Sequence, residues 1–407
     1  RRQVPRRWRV CAAMASSREC LNGSLVVFVA VAYYRHLGSN MMRGHLPTHI
    51  LEALHNRGIS PMRAVVFEDS ALLLDSFLRS RPERIGACVM VKFSQMISLR
   101  TCYNYTRTVL LDCIDNRDCF VPRMLRDMKR YSSVLVQTEE HRTWLQQHGV
   151  TAALLPHPHG YAGRLLPLPP VRQTARTLSL IFGDHRNIPP DAQLQDICSA
   201  AIGAGMKLYL VHSPSSRSRI VNCNTSNSSL FSVGEISSSW LHRNCSEDAR
   251  YAISAKVIQA EMALKPEEWH NISVATKQAV FYTSELAEQI RQQADIAIVW
   301  PPERRDANDL ANRNRPPTRL LFWMAHGVPV FGYPMPSYVD VAQSNGYPAE
   351  LLNVTSIDQI SAVIMQMQSP DVRRCLQHQA QLVSRSRSPI ASALQLLAII
   401  QKFTCLS

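Results

Sequence analysis

The sequence predicts an α/β fold of two doubly wound domains, each built on a mainly parallel sheet. Three observations carry this. Short apolar runs alternate with helical patterns through the first part of the chain, as expected for strands covered on both faces by crossover helices. Pro156, Pro158, Pro167, Pro169 and Pro170 then cluster into a stiff connector. The alternation restarts at Leu178-Ser179-Leu180-Ile181-Phe182-Gly183. With 407 residues, 46% of them apolar, there is material for two cores, since single cores stop growing near ~250–300 residues.

In order, residues 25–32 read as a buried strand, because the run is rich in β-branched residues and turn signals follow it. A helix over 49–57 is ended by Gly58. Residues 64–67 form a second strand, 71–80 a helix before Pro82, 87–92 a third strand and 109–112 a fourth. A helix over 124–131, a fifth strand over 134–137 and a helix over 139–148 complete the first half. Beyond the connector come a strand at 178, a helix over 192–204 and a strand over 207–211. Residues 213–247 are rich in Ser, Asn and Arg and read as a peripheral, poorly ordered insertion. A helix over 284–294, a strand over 296–300, a helix over 318–326 stopped by Gly327, a strand over 328–331 and helices over 357–367 and 371–400 follow. The expected organisation is a basic tail (1–20), a first domain (21–155), a Pro-rich linker (156–176), a second domain (177–385) carrying the insertion, and a C-terminal helix (386–407).

The formal net charge is +14, and Arg1, Arg2, Arg6, Arg7 and Arg9 supply five of the positive charges. No nucleic-acid-binding motif accompanies them, so nucleic acid is not an expected partner. Basic excess also suits an enzyme that binds a diphosphate or an acidic glycan. The longest apolar run, Leu25 to Tyr34, is ten residues, whereas a membrane-spanning helix needs ~20, so no transmembrane segment is expected in the chain. The eleven cysteines include no C-x-x-C pair, and His157 and His159 in the proline-rich connector make a poor ligand pair, so no metal site is expected. Asn-x-Ser/Thr occurs at Asn22, Asn104, Asn224, Asn227, Asn244, Asn271 and Asn353, against about two expected by chance. These favour a secretory-pathway lumen, Golgi or endoplasmic reticulum, over the cytoplasm. Walker-A, G-x-G-x-x-G and G-x-S-x-G patterns are absent, and so is Asp-x-Asp.

The segments Ala294-Asp295-Ile296-Ala297-Ile298-Val299-Trp300-Pro301 and Pro316-Pro317-Thr318-Arg319-Leu320-Leu321-Phe322-Trp323-Met324-Ala325-His326-Gly327-Val328-Pro329-Val330 resemble the donor-binding region of GT-B glycosyltransferases, especially retaining ones of the family 4 type. Val134–Glu139, the stretch from Gly149-Val150 to His159-Gly160, and Phe182-Gly183-Asp184-His185-Arg186 are similar to the family's last first-domain strand, its linker and its second-domain opening. The resemblance implies two Rossmann-like domains facing across a cleft, and transfer of a sugar from a nucleotide-sugar donor to a glycan or lipid acceptor. It implies no cofactor and no metal, the nucleotide sugar being a substrate.

The chemistry fits these positions. A helix N-terminus presents unpaired N–H groups and partial positive charge to a diphosphate. Asn314, Pro317, Thr318, Arg319 and Leu320 are the expected donor-binding end, and Arg186 adds a second fixed charge. His45, in the loop after the first strand, and Asp115, after the fourth, are the catalytic candidates on the acceptor side. The family's two Glu residues on this segment correspond here to Asn314 and Phe322. That departure keeps a second reading in place, in which a non-catalytic relative of the same fold binds a glycan or a protein.

Overall fold

A computed structural model describes residues 20–30, 41–92, 96–114, 117–159, 168–182, 189–212, 255–277, 292–301 and 309–405. The expected basic tail falls almost wholly outside them, as do the 213–247 insertion and most of the helix expected over 284–294. The described chain forms two compact units. Unit 1 comprises Arg1–Pro156, Ser254–Ala279 and Pro389–Ser407, and unit 2 comprises His157–Ile253 and Val280–Ser388.

Unit 1 holds a six-stranded parallel sheet, β1 Ser24–Ala30, β2 Met62–Phe67, β3 Ile85–Val91, β4 Val109–Asp112, β5 Ser133–Val136 and β6 Ala152–Leu154, in the order β2-β1-β3-β4-β5-β6. The order reverses between β1 and β3, which makes their carboxyl ends the topological switch point where open α/β sheets receive ligands. All seven residues of β1 and of β3 are buried, as continuous apolar strands require. The helices are α1 Leu46–Asn56, α2 Leu74–Arg79, α3 Met96–Tyr103, the single turn α4 Leu125–Met128 and α5 Glu139–Gln147. The Thr138 hydroxyl caps α5 by accepting from the His141 N–H at 3.2 Å.

Three helices from far along the chain complete this unit. Residues 255–277, which the sequence reading places inside the second domain, form α7 Ala255–Ala263 and α8 Pro266–Lys277 and cluster with the first unit. A bidentate pair between Arg57 and Glu268, with contacts of 2.9–3.2 Å, ties α8 to the end of α1. The single helix expected over 371–400 is two, α13 Pro370–Ser386 in unit 2 and α14 Pro389–Cys405 in unit 1. Pro389 has no N–H to continue the ladder, and it disfavours helical backbone at Ser388. A Cys20–Cys405 disulfide fastens the end of α14 beside the start of β1, and Cys113–Cys119 closes a short loop after β4.

One buried histidine makes the stability of unit 1 depend on pH. His141 on α5 stacks on Phe120 at 4.0 Å and lies 3.3 Å from the Cys119 carbonyl oxygen. Burial lowers its pKa from 6.5 to about 4. Because the folded value is depressed, the unfolded chain binds the extra proton between these limits, so stability is full above 6.5 and is lost as pH falls towards 4. A depression from 6.5 to about 4 corresponds to about 3 kcal/mol when the loss is complete. Urea unfolding at pH 7 and pH 4.5 should show the loss, and His141→Phe, which keeps an aromatic ring on Phe120, should flatten that part of the pH dependence.

Unit 2 holds a four-stranded parallel sheet, β7 Thr177–Phe182, β8 Lys207–His212, β9 Ile296–Val299 and β10 Val330–Gly332, in the order β10-β9-β7-β8. Its helices are α6 Asp191–Gly203, α9 Leu310–Arg313, α10 Thr318–Ala325, α11 Pro336–Gln343, α12 Ile357–Gln366 and α13. The α10 helix is nearly all core, with Leu320, Leu321, Trp323 and Met324 fully buried. Gly327 ends it at φ +68°, where a β-carbon would sit 2.8 Å from Leu168, so both the backbone angle and the packing favour glycine. The chain then enters β10 beside β9, with the Ala297 N–H donating to the Pro329 carbonyl at 2.8 Å.

Candidate active site

The carboxyl edge of the second sheet carries the first group of residues. The order reverses between β7 and β9, so Trp300, just past β9, stands at the switch point. Its indole N–H donates to Gln193 Oε1 at 2.9 Å, and its ring meets Tyr333 edge-on at 5.4 Å between centroids. Arg319 donates from Nη1 to the Trp300 carbonyl oxygen at 3.1 Å, which holds the half-buried guanidinium at this edge.

Pro317 precedes α10, and the first bond of the helix runs from Leu321 N–H to the Pro317 carbonyl at 2.9 Å. The N–H groups of Thr318, Arg319 and Leu320 therefore lie ahead of the helical ladder. No acidic residue stands in this first turn, so the helix dipole and Arg319 present positive potential together.

The other donor-side candidates are placed differently. Thr318 is exposed, and its hydroxyl lies 3.2 Å from His157 Nε2. Leu320 is wholly buried and offers only its backbone N–H. Asn314 is 1% exposed and donates from Nδ2 to the Leu310 carbonyl at 2.9 Å. Phe322 packs in the core, 5.2 Å from Trp323 and 4.3 Å from His326 between ring centroids. A carboxylate at 322 would be buried among these rings, so Phe322→Glu cannot simply restore the family's second Glu. Arg186 lies outside the described residues.

The carboxyl edge of the first sheet carries the second group. A π-helical turn, Met41–His45, leads into α1, a geometry that concentrates at functional sites. His45 Nε2 lies 2.5 Å from Glu68 Oε1, the two side chains being 15% and 31% exposed, and Glu68 follows directly on β2. His49, one turn along α1, stacks towards His45 at 6.5 Å; burial first, and the His45 charge second, lower its pKa.

Beneath this pair, Arg43 and Asp112 are buried together. Arg43 Nε stands 3.4 Å from Asp112 Oδ2, and Nη2 donates to the Leu155 carbonyl at 2.8 Å. Burial raises the Asp112 pKa, opposed by Arg43 and by the Ile114 N–H that donates to it. Lys92, immediately after β3, is buried and adopts φ 67°, a left-handed conformation that non-glycine residues rarely hold outside constrained sites. Asp115 lies outside the described residues.

Sequence reasoning missed Glu68, Arg43 and Lys92 as members of this edge; Asp112 was read there, together with Asp115, from its place after the fourth predicted strand. The same signal was available for two of the others, since Lys92 ends a predicted strand and Glu68 directly follows one. Among the described residues, no group of three or more His, Cys, Asp or Glu is placed to hold a metal ion.

No protein-family model matches the chain, and no curated protein is similar to it in sequence. Solved structures are similar to it in fold. The OtsA apo structure matches 93% of this chain and 99% of its own, at 10% identity and TM-score 0.50. The pneumococcal O-GlcNAc transferase GtfA, solved in complex with UDP and GlcNAc, matches 83% of this chain at 10% identity and TM-score 0.44, and the chain spans only 61% of that protein. A variant O-GlcNAc transferase of Thermobaculum terrenum matches 95% of this chain and 68% of its own, at 11% identity and TM-score 0.47. With its two parallel-stranded α/β units, the chain has the fold of the GT-B glycosyltransferases.

Proposed function

We propose that this protein is a glycosyltransferase that moves a sugar from a nucleotide-sugar donor to a glycan or lipid acceptor without a metal ion. The observation that carries the reading is the α10 N-terminus, where Arg319 is anchored to the Trp300 carbonyl at 3.1 Å beside three N–H groups outside the helical ladder. Such an end suits a diphosphate, whose charge grows as the sugar departs. In the first unit, Glu68 accepts the Nε2 proton of His45, which leaves Nδ1 as the base. The acceptor hydroxyl gives its proton to Nδ1 as its oxygen bonds the anomeric carbon. The bond from that carbon to the diphosphate breaks, and the nucleoside diphosphate leaves. The stereochemical outcome tests this role, since a direct displacement with His45 as base inverts the anomeric centre, whereas the family 4 type that the donor segment resembles retains it.

The test is calorimetric titration with a panel of nucleoside diphosphates. Arg319→Ala removes a charge-assisted contact worth ~1.5–3 kcal/mol and should weaken binding roughly ten- to a hundred-fold. Pro317, Thr318 and Leu320 belong to the same proposed end through their backbone, and Asn314 through its position before the helix, so Asn314→Ala should cost less than Arg319→Ala. No binding by wild type at millimolar concentration would remove the enzyme reading in favour of a non-catalytic relative that binds a glycan or protein. That alternative draws support from Asn314 and Phe322 standing where the family has its Glu pair.

The proposed compartment is the secretory-pathway lumen. The four sequon asparagines among the described residues, Asn22, Asn104, Asn271 and Asn353, are all exposed, as glycan attachment requires. The disulfides Cys20–Cys405 and Cys113–Cys119 belong to an oxidising environment. Expressed in a secretory host, the protein should drop in apparent mass on enzymatic removal of N-glycans; an unchanged mass counts against this placement.

A further inference from the structure

The N-terminal end of β9, at the opposite edge of the second sheet from Arg319, borders a cavity of about 320 Å³. Two arginines line it. Arg172 is half exposed and already neutralised, since its Nη1 donates to both oxygens of Asp295 at 3.0 Å. Asp295 is saturated in turn. It also accepts from the N–H groups of Arg176 at 2.7 Å and Thr177 at 3.1 Å, and from the Thr177 hydroxyl at 3.2 Å.

Arg373, on α13, is 1% exposed. Its Nη2 donates to the carbonyls of Arg172 at 2.7 Å, Gln173 at 3.3 Å and Gln368 at 3.3 Å. Its Nε is buried with no hydrogen-bond partner, and among the described residues no carboxylate stands within ion-pair distance of it. Among the described residues, the cavity walls thus carry two guanidinium groups and one carboxylate.

Asp295 acts on Arg373 only at longer range, its oxygens being taken by other donors, so the buried cation is incompletely compensated, and its buried N–H without an acceptor adds to the cost. An anion in the cavity supplies further counter-charge. Gln377, one turn along α13 from Arg373, also lines the cavity and its side chain makes no hydrogen bond, so it is a second available donor. Pro169, Pro170, Val171 and Ala294 supply apolar wall. We infer that this cavity is a binding site for a small organic anion, a phosphate ester or carboxylate with a short apolar body, and that Arg373 is its counter-charge. The inference is independent of the glycosyltransferase reading, because it concerns the other edge of the sheet.

The test is thermal unfolding of the full chain with inorganic phosphate or phenyl phosphate. Ten-millimolar phenyl phosphate should raise Tm by about 2–4 °C and inorganic phosphate by less, as expected for a ligand of the native state. Gln377→Glu places a carboxylate one helical turn from Arg373. It should raise Tm without ligand and abolish the response. Val171→Phe fills the cavity without touching the arginine and should also abolish it, which decides the matter if Gln377→Glu fails to fold. In Arg319→Ala, which removes any contribution from the α10 end, a response to phenyl phosphate should remain and should still be abolished by adding Val171→Phe. The inference is overturned if neither compound shifts wild type, if the response disappears in Arg319→Ala, or if the response of Arg319→Ala survives added Val171→Phe or a folded Gln377→Glu.

Discussion

His45→Ala is expected to lower kcat by about 10²- to 10⁴-fold, the range a positioned general base supplies, while the dissociation constant for nucleoside diphosphate stays unchanged. The split follows from placement, since His45 belongs to the first unit and the proposed phosphate-binding end of α10 to the second. The Glu68 carboxylate lies 2.5 Å from Nε2 and so orients the ring and receives the positive charge that forms on it. Glu68→Gln keeps the shape and removes that charge, so it should reduce kcat by less than His45→Ala does. His45 is partly exposed and lies outside the core, so both variants should unfold near the wild-type temperature. Steady-state kinetics with the preferred donor separates kcat from KM, and NMR of the product reports the anomeric configuration. A His45→Ala enzyme within threefold of wild type, or a product with retained configuration, removes His45 from the role of base.

Arg43→Ala is expected to destabilise the protein by about 3–5 kcal/mol, the usual cost of leaving one member of a buried ion pair alone. Arg43 and Asp112 are 2% and 1% exposed, and the guanidinium also receives the chain as it leaves β6, through the Leu155 carbonyl at 2.8 Å and the Pro156 carbonyl at 3.4 Å. Truncation strands the carboxylate and both carbonyls. Burial already holds the Asp112 carboxyl above its ordinary range, and Arg43 is its principal opposing influence. A folded pKa above the unfolded one means that the carboxyl's contribution is fullest below about pH 4 and is lost as pH rises through the folded value. Arg43→Ala raises the folded value further, so the variant should lose most stability near neutrality and regain part of it in mild acid. Asp112→Asn in the same background removes the stranded charge and should recover part of the loss. Urea denaturation at pH 5 and pH 7.5, with the m-value checked for constancy, measures both effects. A loss below about 1 kcal/mol would mean that water reaches the pair.

The layers were legible in the sequence. Runs such as Leu25-Val26-Val27-Phe28-Val29 and Ile296-Ala297-Ile298-Val299 are apolar at every position, and only strands covered on both faces bury such runs completely. The α10–Gly327–β10 unit was equally legible, because a helix stop at φ +68° favours glycine and the strand that follows is a local consequence. The break between α13 and α14 was written in Pro389, but apolar periodicity continues across it and outweighed the proline.

The partnerships emerge only once the chain is folded. His45 meets Glu68 across 23 positions of chain, and Arg43 meets carbonyls more than a hundred positions away. No periodicity encodes such pairs, since they exist only because adjacent parallel strands bring their carboxyl ends side by side. For the same reason α7 and α8 were unreadable as parts of unit 1, whereas the C-terminal helix expected over 386–407 was already set apart from the second domain and α14 clusters with unit 1. Their amphipathic faces specify that each must be covered, while the sheet they cover is chosen by long-range packing whose contacts lie hundreds of residues apart. Arg373 is the sharpest case. In sequence it is one more basic residue on a helix, and only its burial, together with the saturation of Asp295 by other donors, makes its charge a demand that a ligand can meet.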